Sequence, residues 1–334
     1  MRTVAAGILA GMVGVLGLMV PSNPAFATSD PLGTPVYPAD FPDPWVLLVH
    51  GTYWAYATGT AGKNLQVMSS RDLRHWSRPT DPLPVLPSWA VAGRTWAPGV
   101  LRRGSGFVMY YTVHDAPLGQ QCVSVARSAS PAGPFIDYTA GPLICQSSNG
   151  GSIDPNPYVD PASGRLYLLW KSDDNSLGAG HPTHLWSQRL TADGLSLASG
   201  QPSLLLTESA AWQEPTVEGP TVVRHGDRYY LFYSANRYDT AQSGIGYATS
   251  RSLLDPYTNQ SASGPWLGSG GNAQGPQGPT VFTDSAGATR LAFAAWYGAV
   301  GYNHGGVRAL WIGDLTFRGG GPDLSHSVGE RNRD

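Results

Sequence analysis

The stretch GDRYYLFYS, residues 226–234, indicates the fold because four other stretches of the chain follow the same pattern. In each, a Pro-led apolar strand precedes a glycine turn, and an aromatic-rich strand then leads to a strand of small residues and serine. The other four are GTYWAYAT from Gly51, GFVMYYT from Gly106, GRLYLLWKS from Gly164 and GATRLAFAAW from Gly287. By subtraction, the five glycines are 55, 58, 62 and 61 residues apart, so the chain has a repeat of nearly constant length.

This repeat predicts an all-β fold. The strands are short, rich in β-branched or aromatic residues and bounded by Gly, Pro, Asn or Asp, and no segment after the N-terminal leader keeps a helical apolar period for long. A period of roughly 60 residues with about four strands is typical of a propeller blade, so five units predict a five-bladed β-propeller. A two-domain β-sandwich is the alternative, and the even period argues against it. We predict a linker over 28–36, the propeller over 37–318 and a disordered tail over 319–334.

Composition restricts the class of partner. The 334 residues carry a formal net charge of −2 without a basic run, which disfavours nucleic acid and anionic membranes. The 11 Trp, 16 Tyr and 8 Phe favour a surface that stacks on neutral, hydroxyl-rich ligands, although most of these rings belong in the core. The composition therefore favours a partner that is neutral and rich in hydroxyl groups.

The N-terminus predicts secretion. Arg2 precedes an apolar run from Val4 to Val20, and Ala25-Phe26-Ala27 follows, which is the pattern of a signal peptide cleaved after Ala27. A membrane anchor is the alternative, and the A-x-A site favours cleavage. The predicted domains thus begin with a signal peptide over 1–27.

The two cysteines fit an extracellular protein. Cys122 and Cys145 are the only pair available, so they form the disulfide if they are oxidised. Such a bond contributes about 3 kcal/mol to stability.

The Pro-led strand starts place acids at one phase of the repeat. They read FPDPWV, TWAPGV, SIDPNPYV, VEGPTVV and PQGPTVF. The residues before the aligned prolines are Asp43, Ala97, Asp154, Gly219 (preceded by Glu218) and Gly278. Because each propeller blade presents the same strand to the central channel, we expect Asp43, Asp154 and Glu218 to converge at one mouth.

Three clustered acids have three explanations. They are costly to keep unless they work, bind a metal or cap turn amides. Calcium prefers carboxylate and carbonyl oxygens, but no dense D-x-D run supports a dedicated site. Glycoside hydrolysis needs two spaced carboxyl groups, one to activate water and one to protonate the leaving oxygen.

At these residues the sequence resembles glycoside hydrolase family 43, a family of five-bladed propeller enzymes. The motifs are FPDPWV, TWAPGV, GGSIDPNPYVDPASGRLYLLWKSDDN and VEGPTVVRHGDRYYLFYSANRY, in that order. The resemblance implies that Asp43 is the general base, Glu218 the general acid, and Asp154 the residue that orients Glu218 and raises its pKa. It also implies that Arg308 contacts sugar hydroxyls, and Trp96 is a candidate for stacking on a sugar. The stretch from QCVSVARSASPAGPF to PLIC, with its cysteine pair, resembles the xylosidase and arabinofuranosidase branches.

The fifth blade departs from the family pattern. Many members carry Gly-Pro-Gly-His there, and the histidine helps to hold a central metal or its waters. This chain has GPQGPTVF, with Gly278 in place of the histidine, and Ala294 where relatives often have another. We therefore predict no metal and no cofactor, since a central calcium would lack that ligand.

Together with these observations, the family resemblance implies a secreted, inverting O-glycosyl hydrolase of plant cell-wall pentose glycans, cleaving β-xylosidic bonds, α-L-arabinofuranosidic bonds or both. We expect its partner to be an oligo- or polysaccharide and the protein to be a monomer. One alternative is a carbohydrate-binding propeller without catalysis. The other is a glycosidase of the same fold for another glycan, such as an arabinan endo-hydrolase, a galactan-active enzyme or a retaining fructan-active enzyme.

Overall fold

A computed structural model of the chain describes residues 32–60 and 62–327. The predicted signal peptide over 1–27, the start of the predicted linker and residues 328–334 lie outside this described part. Within it, no helix has the length and apolar character needed to cross a membrane.

The described strands form five antiparallel sheets in sequence order, which confirms the all-β, five-bladed propeller. Blade 1 contains β1 (Trp45–Val49), β2 (Thr52–Thr58) and β3 (Leu65–Ser70). Blade 2 contains β4 (Ala90–Arg103), β5 (Gly106–Asp115) and β6 (Gln120–Ser128). Blade 3 contains β7 (Ser152–Val159), β8 (Leu166–Ser172), β9 (His184–Arg189) and β10 (Ser203–Thr207).

The last two blades have four strands each. Blade 4 contains β11 (Val217–His225), β12 (Arg228–Ala235), β13 (Gly244–Ser250) and β14 (Thr258–Asn259). Blade 5 contains β15 (Gln274–Thr283), β16 (Thr289–Tyr297), β17 (Val307–Arg318) and β18 (Gly321–Ser327). The helical segments are short 3₁₀ turns at Ser147–Asn149, Asp174–Leu177, Ala211–Gln213 and Tyr302–His304.

The hydrophobic core lies between the blades. Five clusters of buried side chains pack at the contacts of blades 1 and 2, 2 and 3, 3 and 4, 4 and 5, and 5 and 1. The aromatic residues that mark the repeat supply much of this core, since Tyr111, Trp170, Tyr233 and Phe293 are each under 2% exposed. Burying such side chains stabilises the fold by about 1.5–3 kcal/mol each.

The segment before β1 packs on blade 5. The Val36 backbone N–H donates to the Leu310 carbonyl at 2.9 Å, and the Phe41 N–H donates to the Arg308 carbonyl at 2.8 Å. Leu32 is buried in the core between blades 4 and 5. The described part of the predicted linker therefore belongs to the folded domain.

The prediction of a disordered tail over 319–334 is wrong for residues 321–327. Gly319 and Gly320 take positive φ and form the turn that brings β18 back against β17. The Trp266 indole N–H donates to the Pro322 carbonyl at 3.0 Å, and Leu324 packs against the core of blades 4 and 5. The glycine run is a hairpin turn and not the start of disorder.

The predicted disulfide is confirmed. Cys122 lies in β6 and is bonded to Cys145, in the segment that follows blade 2. Beside it, Val123 and Ile144 exchange backbone hydrogen bonds of 2.9 and 3.1 Å, so the crosslink fastens the outer edge of this three-stranded blade.

Candidate active site

Five turns, one from each blade, ring the central channel. The residue before the aligned proline is left-handed in every blade, with φ of 53° at Asp43, 44° at Ala97, 56° at Asp154, 58° at Gly219 and 61° at Gly278. In β4, β7, β11 and β15 the register with the next strand shifts across this point, as in a β-bulge. Bulges turn side chains away from the regular alternation of a strand, and they are frequent beside active sites. The local backbone therefore explains why residues of this phase face the channel.

Hydroxyl groups of the second strands tie these turns to the preceding blade. Thr58 Oγ1 accepts the Ala97 N–H at 2.9 Å, and Thr112 Oγ1 accepts the Asp154 N–H at 3.0 Å. Ser234 Oγ accepts the Gly278 N–H at 2.7 Å. These bonds fasten three of the five turns to the neighbouring blade.

The structure brings the predicted site residues together. Asp43, Asp154 and Glu218 line one cavity, and Trp96 and Arg308 line it with them. Thr58, Ile153 and Tyr238 complete this part of the wall. A second cavity is lined by the same three acids and by prolines and glycines of the turns. Residues from five blades thus share one solvent-accessible site, as the phase of the repeat predicts.

The Asp43 carboxylate accepts a hydrogen bond on one oxygen and has a cation near the other. Thr58 donates its hydroxyl to Oδ2 at 2.5 Å, and Arg308 Nη1 lies 3.7 Å from Oδ1. Arg308 is held in turn by the Tyr302 hydroxyl, which accepts from Nε at 3.0 Å, and its guanidinium lies 5.0 Å from the ring centre of Tyr238. A hydroxyl donor and a cation therefore both face this carboxylate.

Asp154 and Glu218 lie in a buried environment that favours their protonated forms. Burial raises the pKa of Asp154 well above its usual range, and the neighbouring charges of Glu218 and Asp43 raise it further. Burial also raises the pKa of Glu218; Lys171 opposes this shift and Asp43 adds to it. Protonated carboxyl groups are therefore favoured on this side of the cavity, and a protonated carboxyl group can serve as a general acid.

Asp154 also positions the backbone that carries Glu218. Its Oδ2 accepts the Gly219 N–H at 2.9 Å, which fixes the peptide group directly after Glu218. The contact links blade 3 to blade 4. The arrangement can therefore orient the Glu218 carboxyl group while the Asp43 carboxyl group lies elsewhere on the cavity wall.

The sequence motifs did not identify Lys171 and Tyr238 as residues of the site. Lys171 lies in β8 with its Nζ 3.7 Å from Glu218 Oε2. Tyr238, 47% exposed, follows β12, and its carbonyl accepts bonds from Trp296 and Gln277. A signal for Lys171 existed, because a lone lysine stands in the apolar stretch LYLLWKS. Nothing local distinguished Tyr238 from the core tyrosines.

The residues of the fifth blade do not fit a central metal held as the family resemblance implies. A Cβ on Gly278 would lie 3.0 Å from Asp43 Cα, and the residue has a φ of +61°, so a side chain there would crowd Asp43 and strain the backbone. Ala294 is buried and offers no donor atom. Across residues 32–60 and 62–327, no group of three or more His, Cys, Asp or Glu side chains is placed to hold a metal ion.

Comparison with known proteins identifies the family to which the chain belongs. The family model described as glycosyl hydrolases family 43 matches residues 32–321. The chain is 27% identical over 245 residues to a β-D-galactofuranosidase of Aspergillus niger, a match that covers 68% of the chain and 66% of that enzyme, just under two thirds of its length. It is 25% identical over 299 residues to an extracellular endo-α-(1→5)-L-arabinanase of Bacillus subtilis, covering 84% and 86% of the two chains.

Solved structures agree with these matches. A thermostable family-43 glycoside hydrolase superposes with a TM-score of 0.77 at 26% identity, over 88% of this chain and 96% of the other. An endo-1,4-β-xylanase from Bacteroides thetaiotaomicron superposes with a TM-score of 0.71 at 27% identity, over 87% and 96%.

Proposed function

Because the chain belongs to glycosyl hydrolase family 43, we propose that it cleaves pentose glycans of the plant cell wall with inversion at the anomeric carbon. The favoured bond is α-L-arabinofuranosidic, and the second candidate is β-xylosidic. Relatives named as arabinanases and arabinofuranosidases support the first, and the similar structure named as a xylanase supports the second.

The contrast between the carboxyl environments carries this proposal. The Asp43 carboxylate accepts the Thr58 hydroxyl and lies beside the Arg308 guanidinium, whereas burial raises the pKa of Glu218. An inverting glycosidase needs one carboxylate to accept a proton from water and one carboxyl group to donate a proton, and we assign these roles to Asp43 and Glu218.

In the proposed reaction, Asp43 accepts a proton from a water molecule as that water attacks the anomeric carbon. The glycosidic bond breaks, and Glu218 gives its proton to the departing oxygen. The sugar is released with inverted configuration, and the proton on Asp43 returns to Glu218 through solvent. Asp154 acts by holding the Gly219 peptide beside the acid. Trp96 and Tyr238 offer aromatic surface to the sugar at the cavity wall.

Two further properties belong to the proposal. The N-terminal leader directs secretion, in agreement with relatives named as extracellular and with the disulfide. We assign no resident metal to the reaction, because glycine stands at position 278, where the family pattern has a histidine, and a side chain there would crowd Asp43.

Sugar release tests the function. The mature protein is incubated with debranched arabinan, arabino-oligosaccharides, arabinoxylan and xylo-oligosaccharides, beside an Asp43→Asn variant of equal thermal stability. We expect arabinose or arabino-oligosaccharides from the wild type, and a loss of about 10²–10⁴-fold in the variant, since the proton acceptor is gone. Xylose products alone would move the assignment to β-xylosidic bonds. A folded wild type that releases no sugar would contradict the proposal.

A further inference from the structure

We propose that Lys171 and Asp173 form a buried charge pair that positions the Glu218 carboxyl group and sets the pH above which it stops donating a proton. The inference rests on the proposed function, because it gives Glu218 the role of general acid. It adds two positioning residues to the site.

The ammonium group of Lys171 is buried. The Lys171 side chain is 1% exposed, with Nζ 3.0 Å from Asp173 Oδ1 and 3.7 Å from Glu218 Oε2. Burying a charge is costly unless partners compensate it, and one partner of this ammonium group, Glu218, lines the candidate active site. Lys171 is also one of only two lysines in the chain, the other being Lys63.

Lys171 also occupies a position that recurs in the second strand of other blades. In blades 1, 2 and 4 the matching position is Thr58, Thr112 or Ser234, whose hydroxyl accepts a backbone N–H from the next blade. Lys171 pairs with Ile153 in the same register as Thr112 with Trp96. Blade 3 has therefore replaced a hydroxyl that ties blades together with an ammonium group that contacts a carboxyl group.

The replacement divides the task of holding Glu218 between two residues. The backbone after Glu218 is held by Asp154, which accepts the Gly219 N–H at 2.9 Å. Lys171 lies beside one oxygen of the side chain, Oε2. The other oxygen, Oε1, is left to carry the proton toward the leaving group. Asp173 keeps Lys171 in place through its 3.0 Å contact.

Charges of both signs surround the acid. Lys171 and Arg308 favour the ionised form of Glu218, whereas burial, Asp43 and Asp173 favour the protonated form. Asp154 is electrostatically linked to Glu218 as well. The charged groups facing Glu218 thus come from the turn before β1, from β7, from β8 and the residue after it, and from β17: Asp43, Asp154, Lys171, Asp173 and Arg308.

The experiment compares pH profiles of kcat/KM, whose alkaline limb reports deprotonation of the general acid in the free enzyme. The substrate is arabinotriose, or xylotriose if the wild type releases xylose. Removing the cation in Lys171→Met should move the alkaline limb upward by about one pH unit or more. Removing the anion in Asp173→Asn should move it downward. Lys171→Arg, which keeps the charge, should keep the limb near its wild-type position.

Lys63→Met is the matched control, because it removes the other lysine and should leave the limb unchanged. A purely structural role for Lys171 predicts lower kcat/KM at every pH with an unmoved limb, and that result would overturn the inference. If Lys171→Met does not fold, Asp173→Asn and Lys171→Arg decide: a downward shift in the first with none in the second supports the inference, and any other combination overturns it. Absence of wild-type turnover would overturn the proposed function and this inference together. Wild-type turnover with unmoved limbs would overturn this inference alone.

Discussion

Asp43, Ala97 and Asp154 hold a left-handed backbone just before a proline, which costs an L-residue about 1–2 kcal/mol. Strain of this kind persists where the surrounding structure fixes it, and it concentrates at functional sites. Here the strained turns place Asp43 and Asp154 on the wall of the cavity. An Asp–Pro pair in sequence suggests only a turn. Asp43 and Asp154 differ from the other Asp–Pro pairs of the chain because they occupy the same position in the repeat.

Gly278 offers a test of this packing at the scale of one residue. A Cβ added there would lie 3.0 Å from Asp43 Cα and 3.4 Å from its Oδ1. We expect Gly278→Ala to displace Asp43 and to lower kcat at least about tenfold, because small displacements of a catalytic group are costly. Hydrolysis assays at saturating substrate measure the effect.

Gly287→Ala is the matched control. Gly287 also takes a positive φ, of 81°, but a Cβ there meets nothing within 4 Å. It should lose about 1–2 kcal/mol of stability from backbone strain and keep its kcat. Equal losses of kcat in the two variants, or none in either, would contradict the packing argument.

Among the elements, the aromatic second strands are those that sequence reasoning could predict. Their residues form the cores between blades, so β-propensity and burial agree in β2, β5, β8, β12 and β16. The strand β18 could not be predicted in this way, because a glycine run signals a hairpin turn and a disordered tail equally well. Its pairing with β17 depends on tertiary contacts, including that of Pro322 with Trp266. Lys171 was missed for a similar reason, since its role depends on a partner in another blade.

The contribution of β18 can be measured by truncation. A chain that ends at Arg318 exposes the edge of β17 and removes the acceptor of the Trp266 indole. We expect a loss of more than about 2 kcal/mol in unfolding free energy, seen as a lower Tm in thermal denaturation. A chain that ends at Ser327 retains the strand and serves as control. Equal Tm values for the two truncations would show that β18 adds nothing to stability.

At the scale of the whole molecule, closure of the ring assembles the site. Blade 1 meets blade 5 through a hydrophobic cluster, and the Phe41 N–H bonds to the Arg308 carbonyl. This contact joins the segment that carries Asp43 to the strand that carries Arg308, which lies 3.7 Å from the Asp43 carboxylate. The repeat length predicted the number of blades, and the phase predicted which acids meet. The pKa shifts of Asp154 and Glu218 could not be predicted in this way, because they depend on burial and on charged groups of other blades.

The proposed mechanism requires Glu218 to protonate the leaving oxygen. To test this role, Glu218→Ala is compared with the wild type on two substrates of the same sugar, a natural oligosaccharide and an aryl glycoside with a very good leaving group. We expect a loss of about 10²–10⁴-fold on the oligosaccharide and of less than about tenfold on the aryl glycoside, which needs no proton. Equal losses on both substrates would contradict the role of Glu218 as the general acid.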